Sequence, residues 1–196
     1  MQLSDQFGSR TVELIKPRVF CNAVNKNGEG IQDPTAHLTC YQTGARVFKD
    51  PRVISTDQFG SLQLSLRKQR TGLCIPSQEV GQPSALNLDH FDLYRATRTP
   101  RAPTFARRDV NLADQFLQGT VTVTLKRPVR FGVPTNKNDE GISDVDSHLT
   151  CYSLRPPRFE RRNIDVQDQF GQLRLTVTRP TMLCVPSVKQ VVSGAP

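Results

Sequence analysis

Tryptophan is absent from these 196 residues, and tyrosine and histidine occur only 3 times each. No run of about 18 apolar residues exists, so no membrane-spanning helix is expected. No Cys-x-x-Cys pair occurs, which removes the usual ligand spacing of a structural zinc. Gly-x-Ser-x-Gly, His-Glu-x-x-His and a phosphate-binding glycine loop are all missing, so the commonest hydrolase, metalloprotease and nucleotide-binding signatures are excluded. Nowhere does an apolar period of 3.6 residues persist, so helices are not expected. The start, Met1-Gln2-Leu3-Ser4, has neither a basic n-region nor an apolar h-region. No signal peptide is therefore expected, and an exported form would be a mature chain or a fragment.

What remains is lean but globular, with 36% apolar residues, 14 prolines and 12 glycines spread along the chain. The length suffices for a buried core. Net charge is +8, carried mostly by arginine. That excess suits an acidic partner, with plain solubility as the ordinary alternative.

Asp-Gln-Phe organises the chain. It occurs at Asp5-Gln6-Phe7, Asp57-Gln58-Phe59, Asp114-Gln115-Phe116 and Asp168-Gln169-Phe170, and three copies continue into Gly8, Gly60 and Gly171. Each is followed by an alternating apolar run and then by a closing motif. The closing motifs are Phe20-Cys21, Leu73-Cys74-Ile75-Pro76, Phe131-Gly132-Val133-Pro134 and Leu183-Cys184-Val185-Pro186. Three units also have an opening motif, at His37-Leu38-Thr39-Cys40-Tyr41, His90-Phe91-Asp92-Leu93-Tyr94 and His148-Leu149-Thr150-Cys151-Tyr152. Fixed-period self-similarity of this kind marks a repeat architecture. A longer period pairs the units. Asn25, His37 and Phe59 recur as Asn136, His148 and Phe170, each 111 residues later. The halves are residues 1–83 and 84–196, and the first lacks its opening segment. A complete first unit would need a His-x-x-Cys-Tyr stretch before Met1.

Leu62, Leu64 and Leu66, then Val121, Val123 and Leu125, then Leu173, Leu175 and Val177 alternate with polar residues. A strand places successive side chains on opposite faces, so each run offers one face to a core and one to water. The expected fold is all-β, as tandem β-sandwich or barrel-like domains. A unit of about 45 residues is small for its own core, so two units are expected to share one.

Five cysteines fit the repeats. Units 2 and 4 carry an opening and a closing cysteine, whereas unit 3 has Leu93 and Gly132 in their places. Joint loss is what pairing within a unit produces. Pairing Cys21 with Cys40 would strand three cysteines, whereas pairing within units strands one. Cys40–Cys74 and Cys151–Cys184 are therefore expected, which implies an oxidising compartment. Cys21 is left unpaired or for an intermolecular bond. The alternative is five reduced, buried thiols in a cytosolic protein.

The pattern His-Leu-x-Cys-Tyr, Asp-Gln-Phe-Gly and Leu-Cys-x-Pro, with Asn-Lys-Asn-Gly-Glu-Gly-Ile between units, resembles tandem repeats of predicted secreted proteins of environmental bacteria. The resemblance spans nearly the whole chain. It implies export and a repeat architecture, and carries over no catalytic residues.

Every histidine sits at one repeat position, and so does every tyrosine. An active site is an asymmetric constellation of groups in distinct roles, so these read as scaffold and no enzyme is expected. The aspartates of the tripeptides are expected to make turns, with the phenylalanines entering the core. Asn25, Asn27, Glu29 and Asp33, and again Asn136, Asn138, Glu140 and Asp144, have the alternating spacing of a calcium loop. The same composition also suits a plain connecting turn. Arg95, Arg98, Arg101, Arg107 and Arg108 in unit 3, and Arg155, Arg158, Arg161 and Arg162 in unit 4, follow the tyrosines. Unit 2 has Arg46, Lys49 and Arg52 there. Together they would suit an anionic polysaccharide. Charge that only discourages sheet-edge aggregation is the alternative. Nucleic acid is not expected, because exposed aromatics are few. The resulting expectation is a non-catalytic extracellular or cell-surface repeat protein for structure, adhesion or assembly, with itself as partner in a homo-oligomer or filament, and with no cofactor unless calcium.

Overall fold

The computed structural model describes residues 1–44, 51–83 and 88–193, with backbone alone for 68–71 and 193. Arg46 and Lys49 lie outside the described residues. The strands are β1 (Gln2–Asp5), β2 (Gly8–Thr11), β3 (Leu14–Cys21), β4 (Asn25–Lys26), β5 (His37–Thr43), β6 (Arg52–Asp57), β7 (Gly60–Glu79) and β8 (Phe91–Arg98). After them come β9 (Arg108–Ala113), β10 (Val121–Pro134), β11 (Asn136–Lys137), β12 (His148–Leu154), β13 (Arg162–Asp168), β14 (Gly171–Val177) and β15 (Met182–Ser193). No helix occurs among the described residues.

The four tripeptides set this strand order locally. Each aspartate accepts the amide of its own phenylalanine on Oδ1, at 2.7 Å for Phe7, Phe59 and Phe170 and 2.8 Å for Phe116. That Asx bond reverses the chain within two residues. Gly60 and Gly171 then continue at φ of +112° and +119°, which only glycine adopts without strain. Tight hairpins result, β6 with β7 and β13 with β14.

Antiparallel pairing closes a six-strand barrel in the order β7, β6, β15, β12, β10, β8 and back to β7. β7 and β10 are long enough to serve in two places, and both carry register shifts at Arg70 and Arg127. Such bulges let a strand bend around a barrel. The apolar faces of the alternating runs meet inside, with Leu64, Leu66, Val123, Leu125, Phe131 and Tyr152 fully buried or nearly so.

The tandem arrangement expected for the two halves is not what forms. β6 pairs with β15, β7 with both β8 and β13, and β1 with β11, so β6 and β7 of 1–83 close one barrel with β8, β10, β12 and β15 of 84–196. The physical reason lies in the closing strands, which have two edges. In β7 and β10 each edge takes the opening strand of a different unit, and β8 on β7 joins the halves by main-chain hydrogen bonds.

Candidate functional site

Three tyrosines make the same clasp. Tyr152 Oη donates to Asp57 Oδ2 at 2.6 Å, and Tyr41 Oη donates to Asp168 Oδ2 at 2.5 Å. Tyr94 Oη donates to Asp5 Oδ2. The phenylalanine of the same turn meets the same tyrosine edge-on. Centroids are 5.4 Å apart for Phe59–Tyr152, 5.6 Å for Phe170–Tyr41 and 5.6 Å for Phe7–Tyr94. One carboxylate thus holds its own turn with one oxygen and a distant strand with the other. Burial, helped by the neighbouring aspartate, pushes all three phenols above their ordinary range. These groups are neutral anchors of the barrel wall.

The fourth turn has no such tyrosine. Asp114 Oδ1 accepts from Phe116 and Leu117, and the Phe116 ring rests on Phe20 at 6.2 Å instead.

The histidines lie beside the clasps. His148 is buried, with Nδ1 2.8 Å from the Asp146 carbonyl and Nε2 3.1 Å from both Gln6 Nε2 and Lys189 Nζ. The tautomer that fits is neutral, with Nδ1–H donating to the carbonyl and Nε2 accepting. His37 Nε2 is 3.8 Å from Glu79, and His90 Nε2 is 3.7 Å from Glu140. Burial lowers the pKa of all three. Each also meets another unit, His37 through the Phe20 ring, His90 through Gln169, and His148 through Gln6 and the Phe131 ring.

In the asparagine loops, Asn25 Oδ1 accepts from Gly30 at 2.9 Å and Asn136 Oδ1 from Gly141 at 3.0 Å. Asn27 Oδ1 accepts from the Asn111 amide at 2.9 Å, and Asn138 Oδ1 from the Gln2 amide at 2.8 Å. Asn27 and Asn138 sit at φ of +53° and +48°, a left-handed conformation that asparagine tolerates. The buried ammonium of Lys26 lies on Glu29, and that of Lys137 on Glu140. Asp33 caps Thr35 at 2.8 Å, and Asp144 accepts from Asp146 at 3.0 Å. The side-chain oxygens of these loops therefore dock each loop onto β9 or β1. Among the described residues no cluster of three or more His, Cys, Asp or Glu could hold a metal ion.

All nine arginines of units 3 and 4 singled out above are exposed. Arg98 donates to the Ala102 carbonyl, and Arg108 donates to the Phe59 carbonyl at 3.1 Å while covering the Phe59 ring. Arg95 and Arg98 lie on β8, Arg108 on β9 and Arg162 on β13, with Arg101 and Arg107 between β8 and β9 and Arg155, Arg158 and Arg161 between β12 and β13.

One buried charge cluster escaped the sequence reading. Arg10 lies between Asp92 and Asp5, 3.4 Å from the Asp5 carboxylate, with all three side chains sealed from solvent. The signal was a paired departure from the repeat. Arg10 replaces an apolar residue (Leu62, Leu173), and Asp92 replaces a threonine (Thr39, Thr150). The threonines donate to Ser77 and Ser187 at 3.0 Å, whereas the Asp92 amide takes Thr135 Oγ1.

Both expected disulfides form, Cys40–Cys74 and Cys151–Cys184, between directly opposed residues of paired strands. In unit 3, Gly132 faces Leu93 and also Leu149, whose Cβ would be 3.1 Å from any Cβ at Gly132. Glycine there makes room for larger neighbours. Cys21 is free, and burial pushes its thiol up to about 11. It lines an apolar cavity of about 720 Å³ with Phe20, Phe116, Leu175, Val177 and Cys184.

Residues 67–186 match the family described as Repeat of unknown function (DUF7450), and the chain belongs to that family. No curated protein and no solved structure matches the chain.

Proposed function

We propose that this is a non-catalytic, extracytoplasmic repeat protein that serves surface structure, adhesion or assembly. The observation that carries the reading is the threefold recurrence of the tyrosine–aspartate–phenylalanine clasp. Tyr41, Tyr94 and Tyr152 each have their hydroxyl committed to a carboxylate of a distant turn. Groups that could do proton chemistry are thereby held as wall components, away from the apolar cavity. The two disulfides support an oxidising setting, and among the described residues no helix is long and apolar enough to cross a membrane. The test is expression with export to an oxidising compartment, followed by light scattering across a concentration series and peptide mapping. Both disulfides with concentration-dependent assembly or surface retention is the expected result. Five free thiols in the active cellular form would contradict it.

A second reading is supported by the nine exposed arginines, which leave guanidinium groups open to sulfate or carboxylate. In that reading the protein binds an anionic polysaccharide. Retention on heparin that falls steeply with salt is its expected signature. Retention unchanged by salt, or none, removes it.

A further inference from the structure

Seven strands follow one another in antiparallel register: β3, β5, β7, β8, β10, β12 and β15. Opening strands (β5, β8, β12) alternate with closing strands (β3, β7, β10, β15). The register repeats too. Cys21 faces Leu38, Cys74 faces Phe91 and Gly132 faces Leu149. Each inner closing strand lies between two opening strands. Among the described residues, β3 has only β5, and the Met182–Ser187 part of β15 has only β12. The two lone edges border the same cavity, which Pro17–Val24 and Arg174–Leu183 both line.

Burial shows that something is lacking there. Leu64 and Leu66, like Val123 and Leu125, are buried, whereas the equivalent Leu175 and Val177 of β14 remain half-exposed. Cys74 is buried, whereas Cys184 is only half-buried. The turn that reaches the cavity is the one without a tyrosine, with Asp114 and Phe116 in its lining. Cys21, the closing cysteine without a mate, is in its wall. A strand of the opening pattern would meet every one of these vacancies.

We infer that the gap between β3 and β15 is a docking slot for an eighth strand of this repeat's opening pattern, His-Leu-x-Cys-Tyr. Its tyrosine reaches Asp114 and Phe116, and its cysteine bonds to Cys21. The occupant is not a second copy of this chain. All three opening strands here are already paired on both edges, two of them tied by disulfides, and lending one would open an equal gap in the lender. Two thiols and one small-molecule disulfide, such as oxidised glutathione, yield the Cys21–strand disulfide and two glutathione thiols. Since the Cys21 thiol is a weak nucleophile at neutral pH, recognition of the strand precedes covalent closure. This inference deepens the assembly reading above and rests on it.

The test uses the whole protein and a synthetic peptide with the sequence of residues 144–156, in a glutathione redox buffer. Intact mass and peptide mapping are expected to show one peptide per chain, bonded to Cys21, with a raised Tm. A peptide with serine for its cysteine is expected to bind without the covalent bond. Replacing its tyrosine by alanine is expected to weaken that binding by about tenfold or more, from the lost bond to a carboxylate. The same loss is expected with Asp114→Ala protein. Absence of binding by either peptide, or labelling of Cys21 equally by a scrambled peptide, would overturn the slot. So would a dimer in which one copy's opening strand fills the other's gap. The same digest reports on Cys40–Cys74 and Cys151–Cys184. If they are intact while the peptide fails, the slot is wrong and the structural reading stands. If they are reduced, the oxidising setting itself fails.

Discussion

Tyr152 and Asp57 are separated by 95 residues of sequence and joined by a 2.6 Å hydrogen bond. The aspartate sits in a turn of the first half and the tyrosine on an opening strand of the second. The bond therefore ties the halves together at the barrel wall, where a carboxylate acceptor makes it stronger than a neutral pair. Tyr152→Phe keeps the ring and removes only the hydroxyl. It is expected to cost about 1.5–3 kcal/mol, measured by urea unfolding with an unchanged m value.

Buried imidazoles make the fold sensitive to acid. His37, His90 and His148 have pKa values lowered from 6.5. Between those lowered values and 6.5 the unfolded chain binds protons that the folded chain does not. Stability therefore rises with pH through that window and is lost as pH falls below about 6.5. A Tm series from pH 7.5 down to 5 is expected to show this decline. His148→Gln is expected to shallow it, because Lys189 and Gln6 no longer face a group that must charge.

The disulfides enclose 34 and 33 residues. On the chain-entropy model each contributes about 3–4 kcal/mol. A reductant is expected to lower the Tm sharply, and Cys21→Ser to leave it nearly unchanged. Equal effects of the two would show that Cys21 already has a partner.

Calcium is expected to leave the Tm unmoved. The oxygens of Asn25, Asn27, Asn136 and Asn138 already accept backbone amides, and Lys26 and Lys137 already neutralise Glu29 and Glu140. A chelator series read by thermal unfolding checks this. A rise of several degrees with millimolar calcium would restore the metal reading of these loops.

The legible part of the fold was whatever depends on local chemistry. Alternation at Leu62–Leu66 and Val121–Leu125 marks strands because side-chain direction has a period of two. The repeats also marked which cysteines pair, since Cys40 with Cys74 and Cys151 with Cys184 keep each bridge inside a unit. What adjacency does not encode is which unit faces which. Asp5 reaches Tyr94 and Asp168 reaches Tyr41, partners that become neighbours only when the sheet closes. The buried Arg10–Asp92 contact was hidden for a similar reason, since each residue looks like a solvated charge until the barrel seals both.

Repeated tyrosines and turn aspartates act as barrel clasps. A double-mutant cycle on Tyr152→Phe and Asp57→Ala tests this most directly, with stability read by chemical unfolding. A coupling of about 1–2 kcal/mol is expected, because either substitution alone removes the same bond. Additive effects, with no coupling, would contradict it.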